Sequence, residues 1–323
     1  MIKWGIVGLG NMANHFASAI KEVSNAKLVA ISSQNKSKLD LFSSKYNINK
    51  ELSFNDYVSL ANCKEIDAIY ISTLNNTHAD LISIFAKNKK DILCEKPFCT
   101  NIEEGVNIKK IIKENNIKFF EAIAYLSHPQ TNEILNIIEN KEIGEINSIK
   151  SEFGFKVKKI DPKSRLFNKD LGGGTILDIG CYPLSFLSLF NKKNKKIKFN
   201  KKTIKKCITN VDIEATANLT LNDNINCEIK VSFEENLENL STIQGSMGSL
   251  IIKQPWLPKK KTFLEIYSKK RYYKKFINSE LTIYAEQIKN VSNEFLGANN
   301  SKIKLFDINK SLNNMGYLNE WMS

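Results

Sequence analysis

Arginine is almost absent from this chain. Of the 47 basic residues only Arg165 and Arg271 are arginine, and the rest are lysine. Base readout and bidentate phosphate contacts favour the planar arginine fork. The formal net charge of +13 therefore indicates a lysine-rich composition rather than a nucleic-acid-binding surface. We expect no nucleic-acid partner, and we interpret residues 192–206, the densest basic run, as a solvated loop.

Other absences narrow the class of protein further. The six cysteines include no C-x-x-C pair, and the three histidines lie in no H-E-x-x-H or Cys/His cluster. This pattern predicts reduced thiols and no metal site. No apolar run approaches the ~18–20 residues that span a bilayer, and the first residues do not resemble a signal peptide. We therefore expect a cytoplasmic protein with no membrane partner.

The pattern of predicted elements changes near residue 122. Before it, short Ile-, Val- and Leu-rich segments alternate with helix-period segments, which predicts β-α-β crossovers around a buried parallel sheet. After it, longer segments of alternating polarity, such as 146–156 and 226–233, predict a mainly antiparallel open sheet. We predict an α/β fold: a doubly wound Rossmann domain over residues 1–122 and an α+β domain over residues 123–323. The last predicted helix, 311–322, is expected to pack on the first domain.

A glycine motif follows the first predicted strand. Gly8-Leu9-Gly10-Asn11-Met12-Ala13 comes directly after Ile6-Val7 and opens a predicted helix. In this context G-x-G-x-x-A indicates dinucleotide binding, because the glycines allow a tight turn and a close approach to pyrophosphate at a helix N-terminus. We expect Gly8, Gly10, Asn11 and Met12 to bind the cofactor. The alternative is a plain glycine-rich turn.

The end of the second predicted strand bears on the choice of cofactor. NAD-preferring folds place an acid about 20 residues after the glycine motif, to bind the ribose 2′-hydroxyl. No acid lies between Lys27 and Lys38. Ser33, Gln34 and Lys38 would instead accommodate a 2′-phosphate. We predict NADP as the cofactor, with NAD as the alternative.

A second motif, Cys94-Glu95-Lys96-Pro97, follows the apolar pair Ile92-Leu93. Ligands of open α/β sheets bind outside the carboxyl ends of the strands, so both motifs are expected to face one crevice. A partly desolvated lysine in such a crevice can donate or accept a proton. The alternative is a surface Lys-Pro turn.

Taken with other stretches, this motif resembles the glucose–fructose oxidoreductase and inositol dehydrogenase (Gfo/Idh/MocA) family. The other stretches are Ser72–His78, Glu121–Tyr125, His128-Pro129 and Gly172–Tyr182. The resemblance covers residues 1 to roughly 190 and is weaker beyond. Many relatives carry histidine where this chain has Tyr182, and tyrosine there resembles the dihydrodiol and xylose dehydrogenase branch.

The resemblance implies catalytic roles for Lys96, Tyr182 and Asp178. Lys96 would polarise the substrate carbonyl or bind the reacting hydroxyl, and Tyr182 would exchange the proton. Asp178, four residues earlier and on the same face if the segment is helical, would orient the substrate or the tyrosine. Glu95, grouped with the cofactor-binding residues, would hold Lys96 by charge pairing. The alternatives are a buried aromatic residue for Tyr182 and a helix-surface acid for Asp178.

The resemblance also extends the cofactor site. It implies that the loop carrying Thr73, Asn75 and His78 runs along the cofactor. The alternative for this loop is N-capping of the helix that follows, by Asn76 or Thr77. Arg165 is a rare arginine seven residues before the glycine triplet 172–174, where a planar fork would clamp the cofactor or hold the crevice loop. An ordinary salt bridge is the alternative for Arg165.

These expectations combine into one hypothesis and its competitors. We expect an NADP(H)-dependent oxidoreductase acting on a secondary alcohol of a sugar, cyclitol or cyclic diol. Similarity to the family implies a homodimer or homotetramer formed through the open sheet of the second domain. The main alternative is a non-catalytic nucleotide-sensing or scaffold protein on the same fold, and a second is a DNA-binding protein.

Overall fold

The computed structural model describes residues 1–192, 195–269, 271–298 and 305–323. They form two compact units. The first contains residues 1–127 with 281–312, and the second contains residues 128–280 with 313–323. The division expected from the sequence differs from this one, because it assigned residues 281–312 to the second domain.

The first unit is built on a six-stranded parallel sheet with the order β3-β2-β1-β4-β5-β6. Its strands are β1 (Ile2–Val7), β2 (Ala26–Ser32), β3 (Ser53–Phe54), β4 (Ala68–Ile71), β5 (Asp91–Cys94) and β6 (Phe119–Glu121). This order, with its reversal between β1 and β4, is that of the dinucleotide-binding Rossmann fold. The predicted parallel sheet is confirmed. The two-residue strand β3 and the helix after it are not predicted by the sequence.

Several helices of the first unit begin or end at residues suited to caps. They are α1 (Asn11–Ala19), α2 (Lys36–Tyr46), α3 (Tyr57–Asn62), α4 (His78–Lys87), α5 (Ile102–Asn115) and, much later in the chain, α8 (Ile283–Phe295). Asn35, Asp56 and Asn101 accept a backbone amide at the start of α2, α3 and α5. Asn47 and Asn116 end α2 and α5 in the left-handed conformation that asparagine tolerates. The asparagine-rich composition thus has a structural use.

Helix α8 belongs to the core of the first unit. The Trp4 ring, fully buried in β1, lies 5.3 Å from Phe16 on α1 and 5.5 Å from Phe295 on α8. Trp4 Nε1 donates a hydrogen bond to Ser292 Oγ at 3.1 Å. Helix α8 also buries Ala285, Ile288 and Val291 in the same cluster. These contacts are the physical reason that residues 281–312 join the Rossmann unit rather than the second domain.

The second unit contains an eight-stranded sheet with the order β14-β13-β12-β11-β7-β10-β9-β8. Its strands are β7 (Ile146–Gly154), β8 (Lys198–Lys206), β9 (Asp212–Leu221), β10 (Ile225–Ser232), β11 (Ser241–Gly245), β12 (Gly248–Ile252), β13 (Lys261–Ser268) and β14 (Tyr272–Asn278). Only the pair β7–β10 is parallel among the described strands, which confirms the mainly antiparallel sheet.

Three helices accompany this sheet. They are α6 (Pro129–Glu139), α7 (Cys181–Ser188) and the last helix, α9 (Ile308–Met322). Residues 313–322 of α9 are grouped with the second unit, where Trp321 packs over Gly180, and 308–312 are grouped with the first. Nowhere in the described ranges does a helix combine the length and apolarity needed to cross a bilayer.

The predicted basic loop is wrong for most of its length. Residues 198–206 form β8, an edge strand whose Phe199 and Ile204 are half-buried against the sheet. Lysines on an edge strand hinder pairing with another chain, so a basic run is compatible with a strand there. The prediction also covered residues 193 and 194, which lie outside the described residues.

Candidate active site

The glycine turn between β1 and α1 is held against the end of β4. Gly8 has φ +86°, a conformation that residues with side chains rarely adopt, and a Cβ there would lie 2.8 Å from the carbonyl carbon of Ser72. The Gly8 carbonyl accepts a hydrogen bond from the Ser72 hydroxyl at 2.8 Å. Position 8 therefore requires glycine for reasons internal to the protein.

Gly10 differs, because neither backbone nor packing requires glycine there. Its φ is −93°, and an added Cβ would meet no atom within 4 Å. The first turn of α1, beginning with Asn11 and Met12, contains no acid. Its amide groups have no acceptor within the helix, and the helix dipole favours an anion in front of them. The space beside Gly10, in front of backbone amides that have no acceptor within the helix, fits the pyrophosphate of a dinucleotide.

The residues after β2 present positive charge and no acid. Gln34, Lys36 and Lys38 are exposed, and Lys36 begins α2. Ser33 is 7% exposed, and its Oγ accepts the Asn35 amide at 3.2 Å. Exposed ammonium groups at a helix N-terminus suit a ribose 2′-phosphate better than a 2′-hydroxyl.

Lys96 lies in a turn at the carboxyl end of β5. The preceding Glu95 is 8% exposed. Its Oε1 accepts a hydrogen bond from the Tyr70 hydroxyl, and its Oε2 accepts the Lys96 amide at 3.3 Å. Lys96 is half-buried and precedes the cis peptide bond to Pro97. Because β1, β4 and β5 are consecutive parallel strands, this turn and Gly8 lie at the same edge of the sheet.

His78 supports the same turn. Its ring is fully buried, with Nδ1 2.8 Å from the Pro97 carbonyl oxygen and Nε2 3.4 Å from the Thr73 carbonyl oxygen. Burial lowers the pKa of His78 to about 4, so the ring is neutral at pH 7. We assign the single proton to Nδ1 from the shorter contact. His78 therefore donates to the Pro97 carbonyl. Half-buried Thr73 and Asn75, which is 7% exposed, lie on the loop before α4.

Two residues near the Lys96 turn were not selected from the sequence. Glu121 ends β6, and its Oε1 accepts the Phe98 amide at 3.1 Å. Tyr284 on α8 has its pKa raised by burial and by Glu95 and lowered by Lys96, so it lies near both. An acid that closes an apolar strand was the available signal for Glu121. No signal pointed to Tyr284, because α8 is distant along the chain from β5.

In the second unit, Asp212 anchors the glycine-rich segment. Asp212 begins β9, is 8% exposed, and accepts hydrogen bonds at 2.7 Å from both Thr175 Oγ1 and the Ile176 amide. Gly174 has φ +114°, and a Cβ there would collide with the Asp212 carboxylate. The glycine at 174 therefore lets this carboxylate fix the start of the segment that leads to Asp178. Asp212 is not among the site residues that the sequence motifs predict.

Asp178 and Arg165 form an ion pair. Arg165 Nη1 donates to Asp178 Oδ1 at 2.8 Å, with side-chain exposures of 48% and 5% respectively. Asp178 is thus not a surface acid. It lies in a π-helical turn, Ile176–Gly180, directly before α7. The α-helical spacing assumed for Asp178 and Tyr182 does not hold across that turn, a feature frequent at functional sites.

Tyr182, half-buried at the start of α7, is surrounded by aromatic rings. Its centroid lies 5.2 Å from Phe153, edge to face at 76°, and 6.0 Å from Trp256. Phe153 and Trp256 stack 6.1 Å apart. They line a cavity of about 230 Å³ whose lining also includes Leu257 and the polar Glu238, Asn239 and Lys253. The tyrosine ring therefore packs against walls of a cavity within the second unit.

The described residues contain no cluster of three or more His, Cys, Asp or Glu able to hold a metal ion. All six cysteines are free thiols, and Cys94, Cys99, Cys181 and Cys227 are buried.

The sequence matches two domain profiles of one family. Residues 2–123 match the oxidoreductase family with an NAD-binding Rossmann fold, and residues 131–251 match the Gfo/Idh/MocA C-terminal domain. The chain belongs to the Gfo/Idh/MocA oxidoreductase family. The resemblance expected from the sequence motifs is thereby confirmed.

Individual relatives agree with this membership. The chain is 32% identical to trans-1,2-dihydrobenzene-1,2-diol dehydrogenase from Xenopus tropicalis over 189 residues, which are 58% of this chain and 56% of that protein. The aligned part thus spans little more than half of that relative. An aldose-aldose oxidoreductase from Caulobacter crescentus, solved with glycerol, has a TM-score of 0.89 at 16% identity, covering 99% and 96% of the chains.

A third comparison comes from a 3-ketoreductase of Actinomadura kijaniata, solved in complex with NADP and TDP-benzene. It has a TM-score of 0.86 at 20% identity, covering 98% of this chain and 95% of that one. Structural likeness at such identities shows the Gfo/Idh/MocA fold and no more. The individual site residues of this member of the family remain predictions.

Proposed function

We propose that this protein is an NADP(H)-dependent oxidoreductase that acts on a secondary alcohol, or the matching carbonyl, of a sugar, cyclitol or cyclic diol. The observation that carries the proposal lies within the first unit. Lys96 lies in the turn that follows β5, at the sheet edge where the Gly8–Gly10 turn leads to the N-terminus of α1. A titratable amine beside a dinucleotide cradle is the arrangement that a dehydrogenase needs.

The chemistry divides between the cofactor and the chain. A bound nicotinamide supplies hydride transfer at C4. In this proposal the Lys96 ammonium donates a hydrogen bond to the reacting oxygen and stabilises its negative charge. Tyr182 exchanges the hydroxyl proton as a general acid or base. Asp178, held by Arg165 at 2.8 Å, orients the substrate or the tyrosine.

The choice of NADP rests on the residues after β2. Lys36 and Lys38 are exposed at the N-terminus of α2, and no acid is present to bind a 2′-hydroxyl. The ketoreductase of similar fold was solved with NADP. We expect Lys38→Glu to weaken NADPH binding more than NADH binding, measured by nucleotide fluorescence. Equal weakening of both would point to NAD as the cofactor.

The substrate class rests on the second unit. Phe153 is half-buried, stacks on Trp256 and lines the cavity beside Tyr182, and it would pack on the apolar face of a ring. Asn239 and Lys253 in the same cavity lining would bind hydroxyl groups. The relative with 32% identity is named for its action on a cyclic diol. Rings with vicinal hydroxyl groups are therefore the substrates to try first.

Turnover and cofactor binding test the proposal together. NADPH fluorescence gives the affinity, and oxidation or reduction of a panel of cyclic diols and aldoses gives the rate. Lys96→Met and Tyr182→Phe are expected to reduce kcat/KM at least about 100-fold. The exposed Lys110→Met serves as the matched control for the lysine variant. Tight NADPH binding without turnover on any panel member would favour the non-catalytic nucleotide-binding alternative.

We also propose that the protein is a homodimer or homotetramer. Phe276, Tyr272 and Tyr267 on β13 and β14 are 71%, 50% and 41% exposed. Tyr267 and Tyr272 pair across β13 and β14, and Phe276 lies four residues further along β14. Exposed aromatic side chains on a sheet favour burial against another chain. Light scattering of the wild type and of Phe276→Lys tests this, because a monomeric wild type would contradict the proposal.

A further inference from the structure

Glu121 lies next to the turn that carries Lys96, although the proposed mechanism does not use it. It is the last residue of β6 and pairs with Cys94, the last residue of β5. Glu121 Oε1 accepts the amide of Phe98 at 3.1 Å. Phe98 follows Lys96-Pro97 directly, so the Glu121 carboxyl group is hydrogen-bonded to the last residue of the Lys96–Phe98 turn.

The environment of this carboxyl group is dry and incompletely bonded. Glu121 is 4% exposed, and its Oε2 has no hydrogen-bond partner among the residues that the structure describes. Ser311 on α9 is close enough to lower the pKa of Glu121. Its hydroxyl nevertheless reaches no hydrogen bond of normal geometry, so Ser311 Oγ is also without a described partner. A buried carboxylate with one oxygen unbonded is held close to its neutral form.

Ionisable groups surround both Glu121 and Lys96. Burial and then Glu95 raise the pKa of Glu121 to about 7, and Ser311, the Phe98 amide and Lys96 oppose that change. Cys94 and Cys99 also face Glu121, and their own pKa values are raised by burial and by its charge. Around Lys96 the further titratable groups are Glu95, Tyr284 on α8 and His78 on α4.

We propose that Glu121 is a positioning residue for Lys96, holding the Lys96–Phe98 turn through the Phe98 amide and stabilising the Lys96 ammonium by its negative charge. This inference rests on the proposed function only in giving Lys96 a role in turnover. Glu121 gains or loses its charge near neutral pH. The extent to which it stabilises the Lys96 ammonium therefore depends on the pH of the solution.

Glu121→Gln separates the charge of Glu121 from its hydrogen bond. The glutamine oxygen still accepts the Phe98 amide, but the side chain no longer titrates. Folding is expected to survive, because a neutral side chain replaces a buried group that is already partly neutral at pH 7. Glu121→Asp is the second variant, since it keeps a charge near Lys96 but shortens the reach to Phe98.

Lysine labelling tests the proposal without any substrate. An acylating reagent attacks only unprotonated amines, and peptide mass spectrometry follows the extent of labelling of Lys96 against pH. In Glu121→Gln the Lys96 curve is expected to shift toward lower pH, by on the order of one pH unit. Lys90, a half-buried lysine bonded to the carbonyls of Cys63 and Ile66, is the internal reference and should not shift.

The variants separate the two halves of the proposal. Glu121→Asp should keep the wild-type labelling curve to a greater extent than Glu121→Gln. A Lys96 curve that is identical in wild type and Glu121→Gln, with both proteins folded over the pH range of the labelling, would overturn the inference. The same holds if Lys90 shifts as much as Lys96, because the effect would then be a general loosening of the fold.

Turnover provides the second readout. The pH dependence of kcat/KM should lose a group near neutral pH in Glu121→Gln, whereas Glu104→Gln should keep the wild-type profile. Glu104 is a matched control because it accepts the Thr100 amide at 2.9 Å in the same unit. A labelling shift without turnover on the diol and aldose panel would refute the proposed function and leave this inference standing. Turnover on the panel with no labelling shift would refute this inference and leave the proposed function standing.

Discussion

Replacing Glu121 by glutamine is expected to change how the folding stability depends on pH. Burial raises the pKa of this carboxyl group from 4.5 to about 7 in the folded protein. The unfolded chain exposes the group and returns it to its ordinary value. Each unit of difference corresponds to about 1.4 kcal/mol, so the titration of Glu121 changes the free energy of unfolding by about 3 kcal/mol at most.

The sign follows from where the proton binds more tightly. Below the unfolded value both states are protonated, and the contribution of Glu121 to stability is complete. Between pH 4.5 and about 7 the unfolded state has lost the proton that the folded state keeps. Stability therefore falls as pH rises through this window, and it is lost once pH exceeds the folded pKa. Glutamine does not titrate, so the variant lacks this loss.

Urea denaturation of wild type and Glu121→Gln at several pH values measures the effect. The free energy of unfolding of the variant, relative to that of the wild type, should increase by about 3 kcal/mol between about pH 4 and pH 8. Taking the difference at each pH removes contributions from groups common to both proteins. Fluorescence and circular dichroism should give the same transition, which checks two-state behaviour in a protein of two units. A difference that stays flat with pH, or that also occurs in Glu104→Gln, would refute the reasoning.

Three further predictions concern other positions. Gly8→Ala should destabilise the fold by about 1–3 kcal/mol. Gly10→Ala has open space around its Cβ, so it should leave the melting temperature unchanged but weaken NADPH binding. Unchanged NADPH affinity in Gly10→Ala would count against the pyrophosphate site. Burial lowers the pKa of His78 from 6.5 to about 4. Wild-type stability should therefore fall by about 3 kcal/mol as pH falls through that window, and His78→Asn should not show this fall. The same pH dependence of the free energy of unfolding in both proteins would contradict this prediction. Ile288→Ala, at a fully buried site on α8, should lower the free energy of unfolding by about 2–5 kcal/mol, whereas the half-exposed Leu296→Ala should change it little; equal effects would mean that α8 is not part of the core.

The sequence alone is sufficient for the core of the parallel sheet in the first unit and for the family. Short apolar strands alternating with helix-period segments predict a parallel sheet, because buried strands and crossover helices have different hydrophobic periods. The Gly8–Ala13 and Cys94–Pro97 motifs could be located at strand ends because each follows an apolar run. These signals are local, so a single sequence contains them.

Two elements, β8 in the second unit and α8 in the first, are not predicted by the sequence. The lysine-rich sequence of β8 predicts a loop, because edge strands tolerate charge on both faces and so lack the alternation that marks a strand. The helix α8 was missed because its reason to form is tertiary: it buries Ile288 and its neighbours against Trp4, nearly 300 residues earlier. Propensity decides little where packing of distant segments stabilises the helix.

The sequence by itself determined the elements that depend on neighbouring residues: the parallel strands, the asparagine caps, the glycine turn and the identity of the family. Only the tertiary structure decided what those residues experience. It buried Glu121 beside the Phe98 amide, made His78 a neutral donor to Pro97, paired Arg165 with Asp178, and tied Gly174 to Asp212. The physical reason is that burial and hydrogen bonding between distant segments set protonation and orientation, and neither is encoded in the order of adjacent residues.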